Sequence, residues 1–226
     1  MRLATMRLAA ALACALLVGC RAATPPTPTA EPPVQPAEWQ EHDVPAARVA
    51  LSLPPDWLAL DEADLFDPDT RAELERDYAG ARGLFSAIGS QGSRVRLVFL
   101  GVDPAARGTG ALASTVAIVA VEPRIPPIGL GLGADFVLDA LDAALSVETA
   151  IERRRAELEV GRAIVFGFDH RILDEGDGPG IRARLDGALV TTDASSFLVL
   201  RNVDASGPAS TAPSLDEVLS SLRVLP

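Results

Sequence analysis

Residues 8–18 form an uncharged run, mostly Ala and Leu, directly behind Arg2 and Arg7. A membrane-spanning helix needs about 20 apolar residues. A run of about 7–15 behind a positive start suits the apolar part of an export signal. Residues 1–19 are therefore expected to be a signal peptide and to take no part in the fold. Residues 21–38 are Ala, Thr, Pro and Glu with six prolines between Pro25 and Pro36. Such a segment buries too little apolar surface to pack and favours extended polyproline geometry. It reads as a tether, reaching about 50 Å at roughly 3.1 Å per residue. Residues 39–226 then match the size of one domain.

The apolar run ends in Leu17-Val18-Gly19-Cys20. This resembles the lipobox of bacterial lipoproteins, a small apolar run closed by cysteine. The resemblance implies diacylglycerol on the Cys20 thiol, cleavage before Cys20, and usually a further acyl chain on the new amino terminus. Two or three acyl chains anchor stably where one is marginal. The next residue is Arg21 and not the Asp that marks inner-membrane retention in enteric bacteria, so the leaflet stays open. Cys14 lies inside the signal. Processing would leave Cys20 as the sole cysteine, with no disulfide, thiol nucleophile or thiolate metal site in the domain.

Composition sets the core and the partners. The chain is 48 % hydrophobic but only 4 % aromatic, so Ala, Leu and Val must fill the interior. Lysine is absent. Removing residues 1–19 takes away two arginines and no acid, moving the formal charge from −11 to −13. So acidic a body is repelled by nucleic acid and by anionic lipid heads. No nucleic-acid partner is expected, and membrane contact should run through the lipid on Cys20.

Residues 47–53 alternate with Val49, Leu51 and Leu53 on one face, a strand pattern. Asp67-Pro68 opens a helix, with Leu74, Tyr78, Leu84 and Phe85 on its inner side. Residues 93–102 set Arg94 and Arg96 against Val95, Leu97 and Phe99. Residues 114–121 are nearly all apolar and read as a central strand. Residues 123–133 read as a Pro/Gly-rich loop. Residues 134–146 form a helix with Val137, Leu141, Ala144 and Leu145 inward. Strands follow at 150–160, 161–173, 181–192 and 196–203, with a turn at 174–180. A short helix over 213–222 takes Ser214 as N-cap. The expected class is α+β: an antiparallel sheet of about six strands with helices packed on it.

Two stretches carry a family resemblance. Leu53-Pro54-Pro55-Asp56-Trp57 is similar to the P-x-x-W that opens PsbP-like domains. Residues 215–224, LDEVLSSLRV, are similar to the F-x-x-I-L-x-S-F-R-V that closes them. The domain thus resembles the PsbP-like α/β/α sandwiches, and among them the small exported lipoproteins of the LpqN type. Residues 61–83 and 122–133 match no part of that pattern. The resemblance implies an accessory or binding role and supplies no shared catalytic residues.

Candidate chemistry is sparse. His170 follows Asp169 in a strand, either as a base oriented by a carboxylate or as a half-exposed strand residue. His42 lies between Glu41 and Asp43, a weak metal arrangement. Gly89-Ser90-Gln91-Gly92-Ser93 lacks the spacing of a nucleophile elbow. Residues 129–134, GLGLGA, precede a helix without the βαβ context of a dinucleotide loop. Asp61, Glu62, Asp64, Asp67 and Asp69 lack an EF-hand spacing, and helix capping explains Asp67. Arg153 and Arg155 share one strand face, as do Arg182 and Arg184. If those faces coincide they offer an anion or acidic partner a basic surface; otherwise they pair with Glu157, Glu159 and Asp186. No metal or cofactor is expected.

These residues describe an exported protein, lipid-anchored at the outer face of the cell membrane or at the outer membrane. Its expected role is that of a non-enzymatic accessory or binding module for an envelope protein or small ligand. A lipid-anchored hydrolase and a small-ligand or lipid carrier are the alternatives; the carrier requires a deep apolar pocket between sheet and helix. Cys20→Ser should abolish labelling of the protein by an alkyne fatty acid in cells, and persistent labelling would refute lipidation at that residue.

Overall fold

Two antiparallel sheets, eight-stranded and three-stranded, replace the expected single sheet of about six strands. They belong to a computed structural model that describes residues 38–81, 85, 95–172, 180–205 and 212–226. Residues 1–37, with Cys20 and the expected signal and tether, the Ser90 stretch and most of the expected 174–180 turn lie outside the described residues. In the smaller sheet, β2 (Val49–Leu53) lies between β1 (Gln40–Val44) and β11 (Arg223–Val224). The larger begins at an edge with β3 (Leu58–Asp61), β4 (Val95–Val102) and β5 (Thr115–Val121). It continues through β10 (Ser196–Asp204), β9 (Ile181–Thr191) and β8 (Gly161–Ile172). The outer edge of β8 carries β6 (Ser146–Val147) and β7 (Glu152–Leu158).

The middle of this sheet is apolar on both faces, because β5 and β10 alternate between two sets of apolar side chains. Val116, Ile118, Phe197 and Val199 face the small sheet and α4 (Leu215–Ser221), where Val49, Leu51, Leu53, Val218 and Leu222 meet them. Ala117, Val119, Leu198 and Leu200 face the other way. That second face is covered by α1 (Glu62–Phe66) and α2 (Pro68–Asp77) through Leu65 and Leu74, and by α3 (Leu130–Ala144) through Leu130, Ala134, Val137 and Leu138. The expected α+β class holds, with a small sheet and one short helix forming one outer layer.

Several local expectations need correction. In β4 the alternation breaks: Leu97 pairs with Val119 but Phe99 with Ile118, so Val98 is an extra residue in a bulge. Phe99 therefore turns to the small-sheet side while Leu97 stays on the helix side. Helix α3 begins at Leu130, four residues before the expected start, after a 3-10 turn at Pro127–Gly129. Gly131 and Gly133 disguise that first turn. A methyl group on Gly133 would come within 2.7 Å of Ile125 Cδ1, so glycine lets the helix lie close on the preceding loop. Leu138 takes the buried place expected of Ala144, which is exposed.

The caps agree with expectation. The Asp67 carboxylate accepts from the Thr70 amide at 2.9 Å, and Ser214 Oγ accepts from the Glu217 amide at 3.2 Å while Glu217 accepts from the Ser214 amide at 2.7 Å. The long edge strand β7 exposes Glu152, Arg153, Arg154 and Arg155, charges that guard an open edge against pairing with another chain.

Gly187 stands opposite Phe166 on β8 and Leu200 on β10. A methyl group there would lie 2.5 Å from Phe166 Cζ and 3.0 Å from Leu200 Cδ2. Gly187→Ala should therefore cost about 1–3 kcal/mol, read as a lower urea midpoint; an unchanged midpoint would show that the Phe166 ring shifts freely.

Candidate functional site

The helices leave part of the second sheet face uncovered. Between α3 and the strands lies an open cleft of about 1130 Å³. Val119, Leu198 and Leu200 form its floor, and Val137 and Leu141 of α3 form its wall. The floor is deeply placed, with Val119 1 % and Leu198 4 % exposed in the whole domain. The lips are different. Leu132 and Phe136, one turn apart on α3, line the cleft at 78 % and 72 % exposure. Ile128, just before the helix, is 98 % exposed. Exposed large apolar residues grouped beside an apolar recess are uncommon on a domain surface without a binding role.

The opposite side of the cleft is the segment from Glu122 to Pro126, held by the β9–β10 turn. Thr191 Oγ1 donates to the Ile125 carbonyl at 2.6 Å. The Ile125 amide donates to Ser196 Oγ at 2.9 Å. Thr191 and Ser196 are each 2 % exposed, so these bonds form away from water, where hydroxyls need partners. Arg124 Nε donates to the Thr192 carbonyl at 2.9 Å. The wall is thus set before any ligand arrives.

Four charged side chains line this cleft: Glu122, Arg124, Asp135 and Asp139. Asp135 is paired with Arg153, and Glu122 lies 3.9 Å from Arg96, which is also paired with Glu62. Among the described residues no carboxylate pairs with Arg124.

The four candidate arginines do not form one surface. Register places Arg153 beside Phe166 and Arg155 beside Ile164, on the α3 side of the sheet. Arg182 and Arg184 pair with Arg171 and Asp169 on the opposite side. There, Arg182 Nη2 lies 2.6 Å from Asp169, Arg184 Nε 2.9 Å from Asp186, and Arg201 Nη1 3.0 Å from Asp186. Of the acids expected to neutralise the arginines, Asp186 does so here, while Glu157 and Glu159 pair with Arg162 and Arg223. Half-exposed pairs of this kind contribute about 0–1 kcal/mol each. They align the polar continuation of β8, β9 and β10 past the edge of the small sheet.

His170 is buried, 2 % exposed, and not half-exposed as expected. Its Nε2 lies 3.0 Å from Asn202 Oδ1, and its Nδ1 has no hydrogen-bond partner. Alternation puts Asp169 on the other face, against Arg182 and Arg184, so that carboxylate does not orient the imidazole. His42 is half-buried against Phe99, ring centroids 5.7 Å apart, and its Nε2 is also without a partner. The neighbouring Asp61 and Asp64 cap α1: Asp61 accepts from the Ala63 and Asp64 amides at 2.8 and 3.0 Å. No group of three or more His, Cys, Asp or Glu suited to a metal occurs among the described residues.

The carrier alternative required an apolar pocket between sheet and helix, but the sequence reading did not name the residues of this cleft. Its signal was nevertheless present: Leu132 and Phe136 lie off the buried stripe of α3, so the helix is apolar on more than one side. Assigning residues 129–133 to a loop removed Leu132 from that pattern.

These observations define a layered α+β domain with a preformed apolar cleft. No family model and no curated protein matches the chain. Among solved structures, the solution structure of cyanobacterial PsbP (CyanoP) from Synechocystis sp. PCC 6803 is similar to it. The two are 14 % identical, with 84 % of this chain and 95 % of that chain covered and a TM-score of 0.45.

Burial pushes His170 below the ordinary histidine value of 6.5, against weaker upward pulls from Asn202, Asp169 and Glu148. Below about pH 6.5 the unfolded chain therefore binds a proton that the folded chain refuses. Stability is retained above that pH and is lost as pH falls towards and through the folded value. His42, lowered by burial as well, acts in the same sense. The urea midpoint should drop between about pH 7.5 and 5, and His170→Gln should flatten the slope. An identical slope in the variant would mean that other groups carry the acid sensitivity.

Proposed function

We propose that this protein is an exported, lipid-anchored binding module that holds a small apolar or amphipathic molecule in the cleft between α3 and the sheet. The observation that carries the reading is the cleft itself, with its buried aliphatic floor and its exposed Leu132 and Phe136 lips. Its volume of about 1130 Å³ lies just above the roughly 300–1,000 Å³ usual for small-molecule sites, and those sites are mostly apolar with few polar groups. Among the described residues, no helix is long and apolar enough to cross a membrane. Attachment at Cys20 through the lipobox-like sequence would keep the domain near the envelope, and the −13 charge gives it no other hold on anionic lipid.

The proposal is non-enzymatic. The one acid–base pairing that the sequence offered, Asp169 with His170, is divided by the sheet, and His170 points into the core rather than into the cleft. Holding a ligand is a role that the apolar lining supports without a reacting group. The energetics favour a chain-like ligand: each methylene removed from water contributes about 0.8 kcal/mol. Ten of them give about 8 kcal/mol, which falls within the ~4–15 kcal/mol that association itself costs. A chain alone is thus marginal, and a polar contact would decide affinity.

The test is binding of Nile red, a neutral apolar fluorophore, to the full chain carrying Cys20→Ser so that no lipid of its own competes. Blue-shifted, saturable fluorescence is expected, lost by at least about tenfold in affinity in the double variant Leu132→Asp, Phe136→Asp, which buries two charges against the ligand. Both residues are exposed, so the fold should survive. Binding that the double variant leaves intact would place the ligand elsewhere and defeat the proposal.

A further inference from the structure

Arg124 stands out from the other charges of the cleft. Its Nε is committed to the Thr192 carbonyl at 2.9 Å. That carbonyl belongs to a turn whose Thr192 is itself 4 % exposed and whose hydroxyl accepts from the Ala194 and Ser195 amides. Arg124 is exposed and lines the cleft, and this bond ties its guanidinium to a buried turn. Its two terminal nitrogens meet no carboxylate among the described residues, whereas most arginines here are ion-paired. Of the three acids of the cleft, Asp135 is paired with Arg153, while Glu122 lies 3.9 Å from an Arg96 that Glu62 already engages.

We infer that the cleft takes a single-chain amphiphile ending in a carboxylate, with the chain on the Val119 and Leu198 floor and the carboxylate on Arg124. This deepens the proposed function and rests on it. A carboxylate fits the donors: with Nε engaged, the two terminal nitrogens present N–H groups to an anionic acceptor, a bond about twice as strong as a neutral one. The charge fits as well. One arginine balances one negative charge, while a phosphate monoester at about −1.5 to −2 would leave an excess facing Asp139. The acidity of the whole domain does not oppose this, since charges beyond about 8–10 Å are screened at ordinary ionic strength.

The experiment displaces Nile red from the full chain (Cys20→Ser) with three probes of equal chain length: a fatty acid, its neutral monoacylglycerol and an alkyltrimethylammonium. The fatty acid should displace at lower concentration than the other two. Arg124→Ala should weaken it by about tenfold or more and leave the monoacylglycerol within about twofold, which also reports that the variant is folded. Arg124→Lys should recover part of the loss. Equal displacement by acid and monoacylglycerol, or preference for the cation, overturns the inference while leaving the apolar-ligand reading standing. No displacement by any chain overturns that reading itself, as does a concentration-dependent dimer in sedimentation that excludes the dye. A fourth probe, a lysophosphatidic acid of the same chain length, tests the phosphate: its preference over the fatty acid would reject the carboxylate.

Discussion

A sheet that is apolar on both faces must be covered on both faces, and the architecture follows from that requirement. Strands β5 and β10 present Ile118 and Phe197 to one side and Val119 and Leu198 to the other. The small sheet and α4 close the first side with Leu51, Leu53, Val218 and Leu222, each at most 1 % exposed. The second side is divided between α1–α2 over the β3–β4 edge and α3 over β8 and β9. The cleft lies where α3 stands away from the strands. It is a place where the demand for cover is incompletely met, which is why its floor is ordinary core and its lips are exposed.

Polar groups decide where this cover stops. On the small-sheet side, the strands continue past the apolar region into Asp169, Arg182, Arg184, Asp186 and Arg201, which form ion pairs with one another, while Arg182 also meets Glu148. On the helix side, the buried hydroxyls of Thr191 and Ser196 tie residues 124–125 to the β9–β10 turn. Unpaired buried hydroxyls are costly, so the same bonds that satisfy the turn also fix the rim of the cleft and place Arg124 there. Structure and candidate site share one small network.

Much of the local structure was legible in the residues. Asp67-Pro68 and Ser214 mark helix starts because their side chains satisfy free amides, a local matter. The apolar run of β5 reads as central because only a doubly covered strand tolerates it. What failed was long-range. The Val98 bulge depends on pairing with β5, and the fate of Phe99 depends on that bulge. The first turn of α3 was hidden because Gly131 and Gly133 weaken the helical pattern, and the reason for Gly133 is Ile125, a contact made only after folding.

The sequence by itself determined the α+β class, the caps, and the acidic, lysine-free composition. Each of these rests on composition or on neighbours within a few residues. Only the tertiary structure decided which arginines share a face, that Asp169 and His170 part company, and that an apolar recess lies beside Arg124. Those depend on strand register and on helix placement over a sheet, and a one-residue change in register would send every such side chain to the other face.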